Sequence, residues 1–341
     1  MTTPIETPTP RKRSGWRIAL VSTAAVVLLI AGGAGTLAWN LSQTFDTKTQ
    51  KIPEVFPTNE AARPPVLQGE TAKAQNILLL GSDTRESING SIANISGQRS
   101  DTIMVVHIPA DRKSISVMSI LRDSWLEIPG HGEAKINAAL SYGGVPLAVQ
   151  TVEGLLGVRM DHVAIIDFDG IKGVTDALGG VDIENTIGFT SSHLKGHHFA
   201  QGTLPVNGTE ALAFMRERYA FPDGDFQRAR NQQAYIKAVL KRALSADSLT
   251  DLGKVGGMVG AVSPYLAVDD SLDSAYVAGL GVELRNVRLS DVGFFTLPTK
   301  GTGTAGGQSI VNIDWVKLKA VQQAFQDDTL RPYELELQAA G

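Results

Sequence analysis

The segment from Arg216 to Gln233 concentrates side chains suited to anion binding, and it reads RERYAFPDGDFQRARNQQ. Arg228 and Gln232 stand four residues apart near the start of the helical pattern that continues as YIKAVLKRAL, so they share one helix face. Guanidinium groups contact phosphate oxygens in pairs, and a helix N-terminus adds unpaired N–H groups. The segment is therefore predicted to hold a diphosphate. The alternative is a solvated cluster of ion pairs, which is common on protein surfaces.

A second group of charged residues flanks three predicted strands, at Ile77–Leu80, Thr102–Ile108 and Ile115–Ile120. The last two strands are predicted to form a hairpin, so the start of one and the end of the other lie at the same sheet edge. Five side chains are expected on that rim: Asp83, Arg85, Arg99, Asp101 and Arg122. Carboxylate oxygens bind Mg²⁺ and guanidinium groups bind phosphate, so the rim is predicted to hold a Mg²⁺-bound phosphate. For any single residue, a loop cap or a surface ion pair is the alternative.

The elements that position these residues alternate between strands and helices. Further strands are predicted at His162–Phe168, Val181–Glu184 and Val292–Leu297. Helices are predicted on either side of a break at Gly143-Gly144 and at four later sites: Ile171–Leu178, Tyr235–Leu244, Ser271–Leu280 and Trp315–Phe325. This alternation indicates an α/β or α+β sandwich with helices on both faces of one sheet.

Bulk composition excludes several function classes. The chain has 341 residues, a net charge of −4 and no cysteine. The mild negative charge gives no overall attraction to nucleic acid, so any anion site must be a local arginine cluster. The lack of cysteine rules out disulfides and thiolate metal sites.

The N-terminal region indicates membrane attachment. Residues 1–17 are polar and basic, and residues 18–39 form an uncharged run bounded by Trp16 and Trp39. A run of 22 residues suits one bilayer crossing, with the preceding basic residues in the cytoplasm and the rest of the chain outside. A cleaved signal peptide is the competing interpretation. Residues 40–74 are proline-rich and are expected to be an extracytoplasmic linker.

Other motifs give weaker signals. His193, His197 and His198 are expected to lie in a solvated loop rather than to bind a metal. Asp269-Asp270 is expected to be a helix-start feature rather than a catalytic pair. The sequence contains no Gly-x-Ser-x-Gly elbow and no Walker-type loop, which disfavours serine hydrolases and P-loop enzymes.

An ordered set of motifs resembles the LytR–CpsA–Psr family of membrane-anchored cell-wall transferases. The motifs are NILLLGSDTR, GQRSDTIMVVHI, SILRDSWLEIPG, EAKINAALSYGG, IIDFDG, DALGGVDI, NGTEALAFMRERY and GDFQRARNQQ. The resemblance implies an α/β fold, a three-layer α/β/α sandwich around a mixed sheet, with an apolar groove for a polyprenyl chain. The catalytic domain is expected over residues 75–330, followed by a short tail at 331–341. It also implies that a glycan phosphate moves from its polyprenyl carrier onto a peptidoglycan sugar hydroxyl, with Mg²⁺ or Mn²⁺ as cofactor.

Site roles follow from the resemblance residue by residue. Asp83 and Asp101 match the family's metal-binding aspartates, and Arg99 and Arg122 match its diphosphate-contacting arginines. The second cluster matches at Arg216, Arg218, Asp225, Arg228 and Gln232. Arg85 is also expected to bind the diphosphate, because it is predicted to lie on the same rim of the sheet. The acceptor hydroxyl needs a base, which is either Asp225 or Asp101.

Two positions depart from the family pattern. Leu121 replaces the usual proline of the S-I-P-R-D motif, and Asn231 replaces the usual second arginine of R-x-x-R-Q-Q, with Arg230 one position earlier. Two alternative functions are also consistent with the sequence. One is polyprenyl diphosphate hydrolysis, which would use the same residues. The other is a non-enzymatic, membrane-tethered regulator or glycan-binding protein. A DNA-binding regulator is disfavoured because the cytoplasmic tail offers no helix-turn-helix pattern.

Overall fold

The computed structural model describes residues 39–82, 100–245 and 252–340, and all structural statements concern these ranges. The strands are β1 (Gln50–Ile52), β2 (Gln75–Ser82), β3 (Ser100–Ile108), β4 (Ile115–Ile120), β5 (Ser124–Ile128), β6 (Gly132–Lys135), β7 (His162–Asp167), β8 (Val181–Asn185), β9 (Phe189–Thr190), β10 (His198–Phe199), β11 (Gly202–Val206), β12 (Leu266–Asp269), β13 (Val292–Thr296), β14 (Thr299–Ala305) and β15 (Gln308–Ile313). The helices are α1 (described over 39–48), α2 (Ala138–Leu156), α3 (Phe168–Ala177), α4 (Gly208–Arg216), α5 (Gly224–Ala243), α6 (Leu252–Val262), α7 (Ser274–Glu283), α8 (Trp315–Gln326) and α9 (Leu330–Ala340).

A mixed seven-stranded sheet forms the centre of the fold, in the order β1-β12-β7-β2-β3-β4-β13. Strands β2, β3 and β4 are successive antiparallel neighbours, and β7 and β13 add in parallel to β2 and β4. The predicted hairpin between β3 and β4 is confirmed, with Ile103 opposite Ile120. The start of β3 and the end of β4 therefore share one edge of the sheet.

Alternate residues of the central strands face two different helical layers, as the period-2 geometry of a strand requires. Leu78 and Val105 face the core that contains helices α2 and α8. Met104 and the partly buried Leu79 face the other side, where Ile236 of helix α5 packs. The mixed α/β fold is thus confirmed, with helices on both faces of the main sheet.

A smaller four-stranded sheet, in the order β14-β15-β5-β6, adjoins the same edge. A backbone hydrogen bond joins this sheet to the turn between β4 and β5: Val311 N donates to Asp123 O at 2.8 Å. The chain also passes directly from β13 to β14, and Leu297 N extends the β13–β4 pairing by donating to Ser119 O at 2.9 Å. These bonds place β14 and β15 directly beside the turn that carries Arg122. This second sheet was not predicted from the sequence.

Helix α2 shows the expected break at Gly143-Gly144. Both residues leave the helical conformation, and Gly144 has a φ of 66°, in the left-handed region that favours glycine. Helix α5 is longer than expected, because it begins at Gly224 and so includes the whole Asp225–Gln232 segment.

The segments expected to be a linker and a tail are structured parts of the domain. Within 40–74, strand β1 pairs in parallel with β12, and the guanidinium of Arg63 contacts the buried carboxylate of Glu153 at 2.5 Å. Beyond residue 330, helix α9 buries Glu334 against strand β13. None of the described helices is long and apolar enough to cross a membrane, and the predicted span at 18–39 lies outside the described residues except for Trp39.

Candidate active site

The turn after β4 and the first residues of β3 form one wall of the candidate site. Arg122 lies in this turn, and its Nη1 donates a hydrogen bond to Asp101 Oδ1 at 2.5 Å. Gly81 of the neighbouring β2 is in the same wall, and a Cβ at Gly81 would lie only 2.8 Å from Cβ of Thr102. Glycine is therefore required where β2 approaches β3 most closely.

Helix α5 forms the second wall and presents three polar side chains on one face. Asp225, Arg228 and Gln232 are separated by three and four residues, so they line up along the helix. Arg228 Nη2 lies 3.0 Å from Asp225 Oδ1, and Arg122 Nε lies 3.6 Å from Asp225 Oδ2. Arg228 and Gln232 are buried, with 5% and 6% of their surface exposed. Asp225 thus connects the helix to the strand edge.

Hydrophobic contacts hold this helix against the turn. Leu121 is buried with Ala229 and Val311, and Phe226 packs beside them. The leucine that replaces the family's usual proline therefore fixes the helix next to Arg122. Asn231 also connects helices, because its Nδ2 donates to Phe214 O of α4 at 3.1 Å.

The loop between α4 and α5 is held by the buried carboxylate of Glu217. Its oxygens accept hydrogen bonds from the backbone N–H groups of Arg218, Tyr219 and Ala220, at 3.0–3.2 Å. Ser192 N donates to the same carboxylate at 2.6 Å. The fixed loop places the Arg218 guanidinium 4.6 Å from the Tyr219 ring centroid and 3.7 Å from Asp225 Oδ1.

These residues surround a cavity of about 340 Å³, which we call the diphosphate cavity. Its polar end is lined by Asp101, Arg122, Arg216, Arg218, Arg228 and Gln232. Its other end is lined by Phe168, Ile171, Leu212 and Met215. The Arg216 guanidinium lies 4.4 Å from the Phe168 ring centroid, where the polar and apolar ends meet. One cavity therefore combines clustered positive charge with an apolar wall.

The electrostatics of the cluster favour the binding of an anion. Burial and the nearby positive charge of Arg122 lower the pKa of Arg228, although Asp225 opposes the shift. Burial alone would raise the pKa of Asp225, but the guanidinium groups of Arg228 and Arg122 outweigh it, so this pKa lies below its ordinary value. In the described part of the chain, the buried Arg122 Nε has no hydrogen-bond partner. A buried guanidinium N–H without a hydrogen bond, beside a second buried arginine, suits an anionic ligand.

Sequence reasoning missed several residues of the site. Asp123 has a raised pKa because of burial and a hydrogen bond to Asp225, and it lies 3.3 Å from Lys135 Nζ. Its position directly after Arg122 was the available signal. Tyr219 is 68% exposed beside the arginines, and Glu217 acts through the loop backbone. Lys135 and the β14–β15 hairpin could not be found, because the second sheet was not predicted.

The remaining predicted residues have different outcomes, and His193 is one that also lines the diphosphate cavity. Asp83, Arg85 and Arg99 fall outside the described residues. Arg230 points away from the diphosphate cavity: its guanidinium contacts Asp223 and donates to Gln227 Oε1 at 2.8 Å. Among the three histidines, His193 Nε2 lies 3.1 Å from Arg216 O, while His197 lies near Glu210.

Metal binding has partial support from the residues present. Among the residues that the structure describes, no three His, Asp or Glu side chains form a metal-binding group. Mg²⁺, however, often uses one or two carboxylates together with waters and substrate phosphates. Asp101 supplies such a carboxylate, 26% exposed beside the diphosphate cavity. The donor set therefore fits a phosphate-bound Mg²⁺ rather than a protein-enclosed metal.

Asp269 has a structural role. Its carboxylate accepts from Val163 N at 2.9 Å and from Ser271 N at 2.9 Å, and it contacts His162. Burial raises its pKa, but these hydrogen bonds lower it more, to about 2. The carboxylate thus caps the turn after β12, far along the sheet from the arginine cluster.

Comparison with known proteins agrees with the fold. Residues 37–327 match the LytR_cpsA_psr family. Polyisoprenyl-teichoic acid--peptidoglycan teichoic acid transferase TagU of Bacillus mycoides is 36% identical over 233 residues, which cover 67% of this chain and 72% of TagU. The crystal structure of B. subtilis TagV superposes with a TM-score of 0.64 at 25% identity, over 75% of this chain and 97% of TagV. TagT bound to LI-WTA gives a TM-score of 0.59 at 25% identity, over 82% of this chain and 98% of TagT. A match of this extent, on a chain that gathers its arginines at one sheet edge, shows that the protein belongs to the LytR–CpsA–Psr family.

Proposed function

We propose that the protein transfers a glycan phosphate from a polyprenyl-diphosphate-linked precursor onto a sugar hydroxyl of peptidoglycan. The observation that carries this proposal is the diphosphate cavity, in which four arginines meet an apolar wall. TagU is named as a teichoic acid transferase acting on peptidoglycan, and TagT has been crystallised with a bound ligand named LI-WTA. Both relatives support cell-wall glycopolymer attachment by this chain.

The donor would lie across the two ends of the cavity. The diphosphate would contact Arg122, Arg218 and Arg228, whose paired N–H donors match phosphate oxygens. The first isoprene units would contact Phe168, Leu212 and Met215. A longer apolar groove for the rest of the polyprenyl chain is part of the proposal.

The reaction is a displacement at the phosphorus atom that carries the glycan. The acceptor O–H bond breaks, its oxygen forms the new O–P bond, and the bridging P–O bond breaks to release polyprenyl phosphate. Asp225 would take the proton, because its carboxylate lies beside Arg122 and Arg228, the arginines that would hold the diphosphate. The arginines depress its pKa in the free protein. A bound diphosphate would neutralise them and raise that pKa, making Asp225 a better base.

The arginines also stabilise the leaving group, since negative charge develops on the polyprenyl phosphate as the P–O bond breaks. Asp101, together with Asp83, would hold Mg²⁺ or Mn²⁺. When bound, the ion would neutralise part of the diphosphate charge.

Membrane attachment forms part of the proposal. Residues 18–39 would anchor the chain with its N-terminus in the cytoplasm and the catalytic domain outside, next to its lipid-linked donor. A reporter fused after Gly341 and active only outside the cytoplasm is the expected result. Reporter activity inside the cytoplasm would contradict this topology.

Lipid binding directly tests whether the diphosphate cavity holds a polyprenyl diphosphate. Full-length protein extracted in detergent should co-purify with a polyprenyl phosphate or diphosphate detectable by mass spectrometry. It should also bind geranylgeranyl diphosphate more tightly than geranylgeraniol, because the arginines select the diphosphate. Equal affinity for the two compounds would show that the cluster is a structural ion-pair network.

A further inference from the structure

A second cavity of about 930 Å³ opens on the other side of Arg122 and Arg218, and we call it the outer cavity. One wall is the loop from Arg218 to Phe226, and the other is the β14–β15 hairpin with Lys135 of β6. Arg122, Arg218 and Tyr219 line both cavities. The two cavities therefore meet at the guanidinium groups that would hold the reacting phosphate.

The proposed base faces the outer cavity. Asp225 and Asp123 line this cavity, whereas neither is among the residues that line the diphosphate cavity. A hydroxyl group entering the outer cavity would reach Asp225 without passing through the cavity that contains the apolar wall. Displacement at phosphorus needs the attacking and leaving oxygens roughly in line. Two separate cavities that share Arg122 and Arg218 would allow the acceptor and the lipid to approach one phosphate from different directions.

The charges of the outer cavity favour a neutral polar ligand. Arg122, Lys135 and Arg218 are balanced by Asp123, Asp223 and Asp225. The diphosphate cavity has four arginines and one aspartate, Asp101, in its lining. The outer cavity therefore lacks the positive excess that a second phosphate would require.

The remaining lining suits a sugar ring. Tyr219 is 68% exposed, with the Arg218 guanidinium over its ring, and the partly buried Phe221 also lines the cavity. Thr302 and Ser309 are exposed hydroxyl residues on the opposite wall. Aromatic faces with a few polar groups are typical of small-ligand pockets, which span about 300–1,000 Å³. We propose, building on the proposed function, that the outer cavity binds a sugar residue of the acceptor glycan and delivers its hydroxyl to Asp225.

Cavity-filling substitutions test this assignment. Thr302→Trp and Ser309→Trp would each place an indole ring in the outer cavity, and neither residue lines the diphosphate cavity. Thr203→Trp is a matched control, because Thr203 is also an exposed strand threonine but lines neither cavity. Two exposed sites on one hairpin keep the test valid if one variant fails to fold.

Binding is measured by calorimetry on the full-length protein in detergent, with three probes. The probes are a soluble peptidoglycan tetrasaccharide, geranylgeranyl diphosphate, and geranylgeranyl diphosphate carrying one N-acetylhexosamine. Thr302→Trp is expected to weaken tetrasaccharide binding at least tenfold. The affinity of this variant for geranylgeranyl diphosphate should stay within twofold of the wild-type affinity. Thr203→Trp should change neither the tetrasaccharide affinity nor the geranylgeranyl diphosphate affinity.

Three outcomes would overturn the inference. They are unchanged tetrasaccharide binding in both tryptophan variants, absence of tetrasaccharide binding in the wild type, and weakening confined to the sugar-bearing diphosphate. The last would assign the outer cavity to the donor's sugar. A wild type that binds the tetrasaccharide but not geranylgeranyl diphosphate would contradict the proposed transfer while supporting the glycan site.

Discussion

Replacing Arg218 with lysine separates a diphosphate clamp from a structural ion pair. Arg218 is 31% exposed, its Nη1 lies 3.7 Å from Asp225 Oδ1, and its Nη2 donates to Tyr219 OH at 2.7 Å. A partly exposed ion pair of this length contributes about 0–1 kcal/mol. Lysine also keeps the positive charge, so the melting temperature should fall by no more than about 4 °C.

Activity should change much more than stability in Arg218→Lys. Lysine cannot reproduce the two-point contact of a guanidinium with phosphate oxygens, and one charge-assisted hydrogen bond contributes about 1.5–3 kcal/mol. Transfer should therefore fall at least about tenfold, because about 1.4 kcal/mol corresponds to a factor of ten.

The assay compares melting temperature and transfer rate with those of Arg230→Lys. Arg230 is 49% exposed, pairs with Asp223 and lines neither cavity, so its variant should keep both properties. A large drop in the melting temperature of Arg218→Lys, or unchanged transfer, would refute the reasoning. Equal losses in both variants would show that the effect is not specific to the cavity.

The remaining predictions concern the metal, a buried ion pair and a buried carboxylate. Asp101→Asn should raise the Mg²⁺ concentration needed for half-maximal transfer, and an unchanged Mg²⁺ titration would remove Asp101 from the metal site. Arg63→Ala should lower the free energy of unfolding, measured in urea, by about 3–5 kcal/mol, because Glu153 stays buried without its cation. A decrease below about 1 kcal/mol would contradict this. Asp269 has its pKa lowered from 3.8 to about 2, so its ionised form stabilises the fold by about 2 kcal/mol above pH 3.8. This contribution is lost as the pH falls towards 2, so wild type and Asp269→Asn should converge in stability at acid pH, and a constant difference would be evidence against it.

Local patterns predicted the central strands well, because they are short apolar runs ended by glycine or charged residues. Strand β4 occupies the predicted residues, and Asp101 lies beside Arg122 as the hairpin predicts. The shared helix face of Arg228 and Gln232 was also predicted, because residues four apart lie on the same side of a helix. These features depend on nearest-neighbour geometry, which a sequence shows directly.

Features that depend on long-range packing were not predictable. The β14–β15 hairpin reaches the site only because β15 pairs in parallel with β5, far away in the chain. Strand β1 looked like part of a linker, since three residues carry no periodic signal and its partner β12 is distant in sequence. The direction of Arg230 depended on where helix α5 begins, which the sequence left uncertain by several residues.

The residue that fixes the loop between α4 and α5 could also not be identified from the sequence. Glu217 lies within the charged segment and resembles its surface neighbours, yet it is fully buried and binds the loop backbone. A buried carboxylate surrounded by N–H donors can be recognised only once the loop conformation is known. The charged segment therefore contains residues that would contact the diphosphate and one that fixes their positions.

The most direct test of the central claim is the stoichiometry of the reaction. Purified full-length protein is incubated with a polyprenyl-diphosphate-linked sugar, peptidoglycan strands and Mg²⁺, and the released polyprenyl phosphate and the newly attached glycan phosphate are both counted. Transfer predicts one polyprenyl phosphate released for each glycan phosphate joined to peptidoglycan through a phosphodiester. Release of polyprenyl phosphate with an equal amount of free glycan phosphate would show hydrolysis instead. Binding of the donor with no release at all would indicate a non-enzymatic protein, and either result would contradict the account.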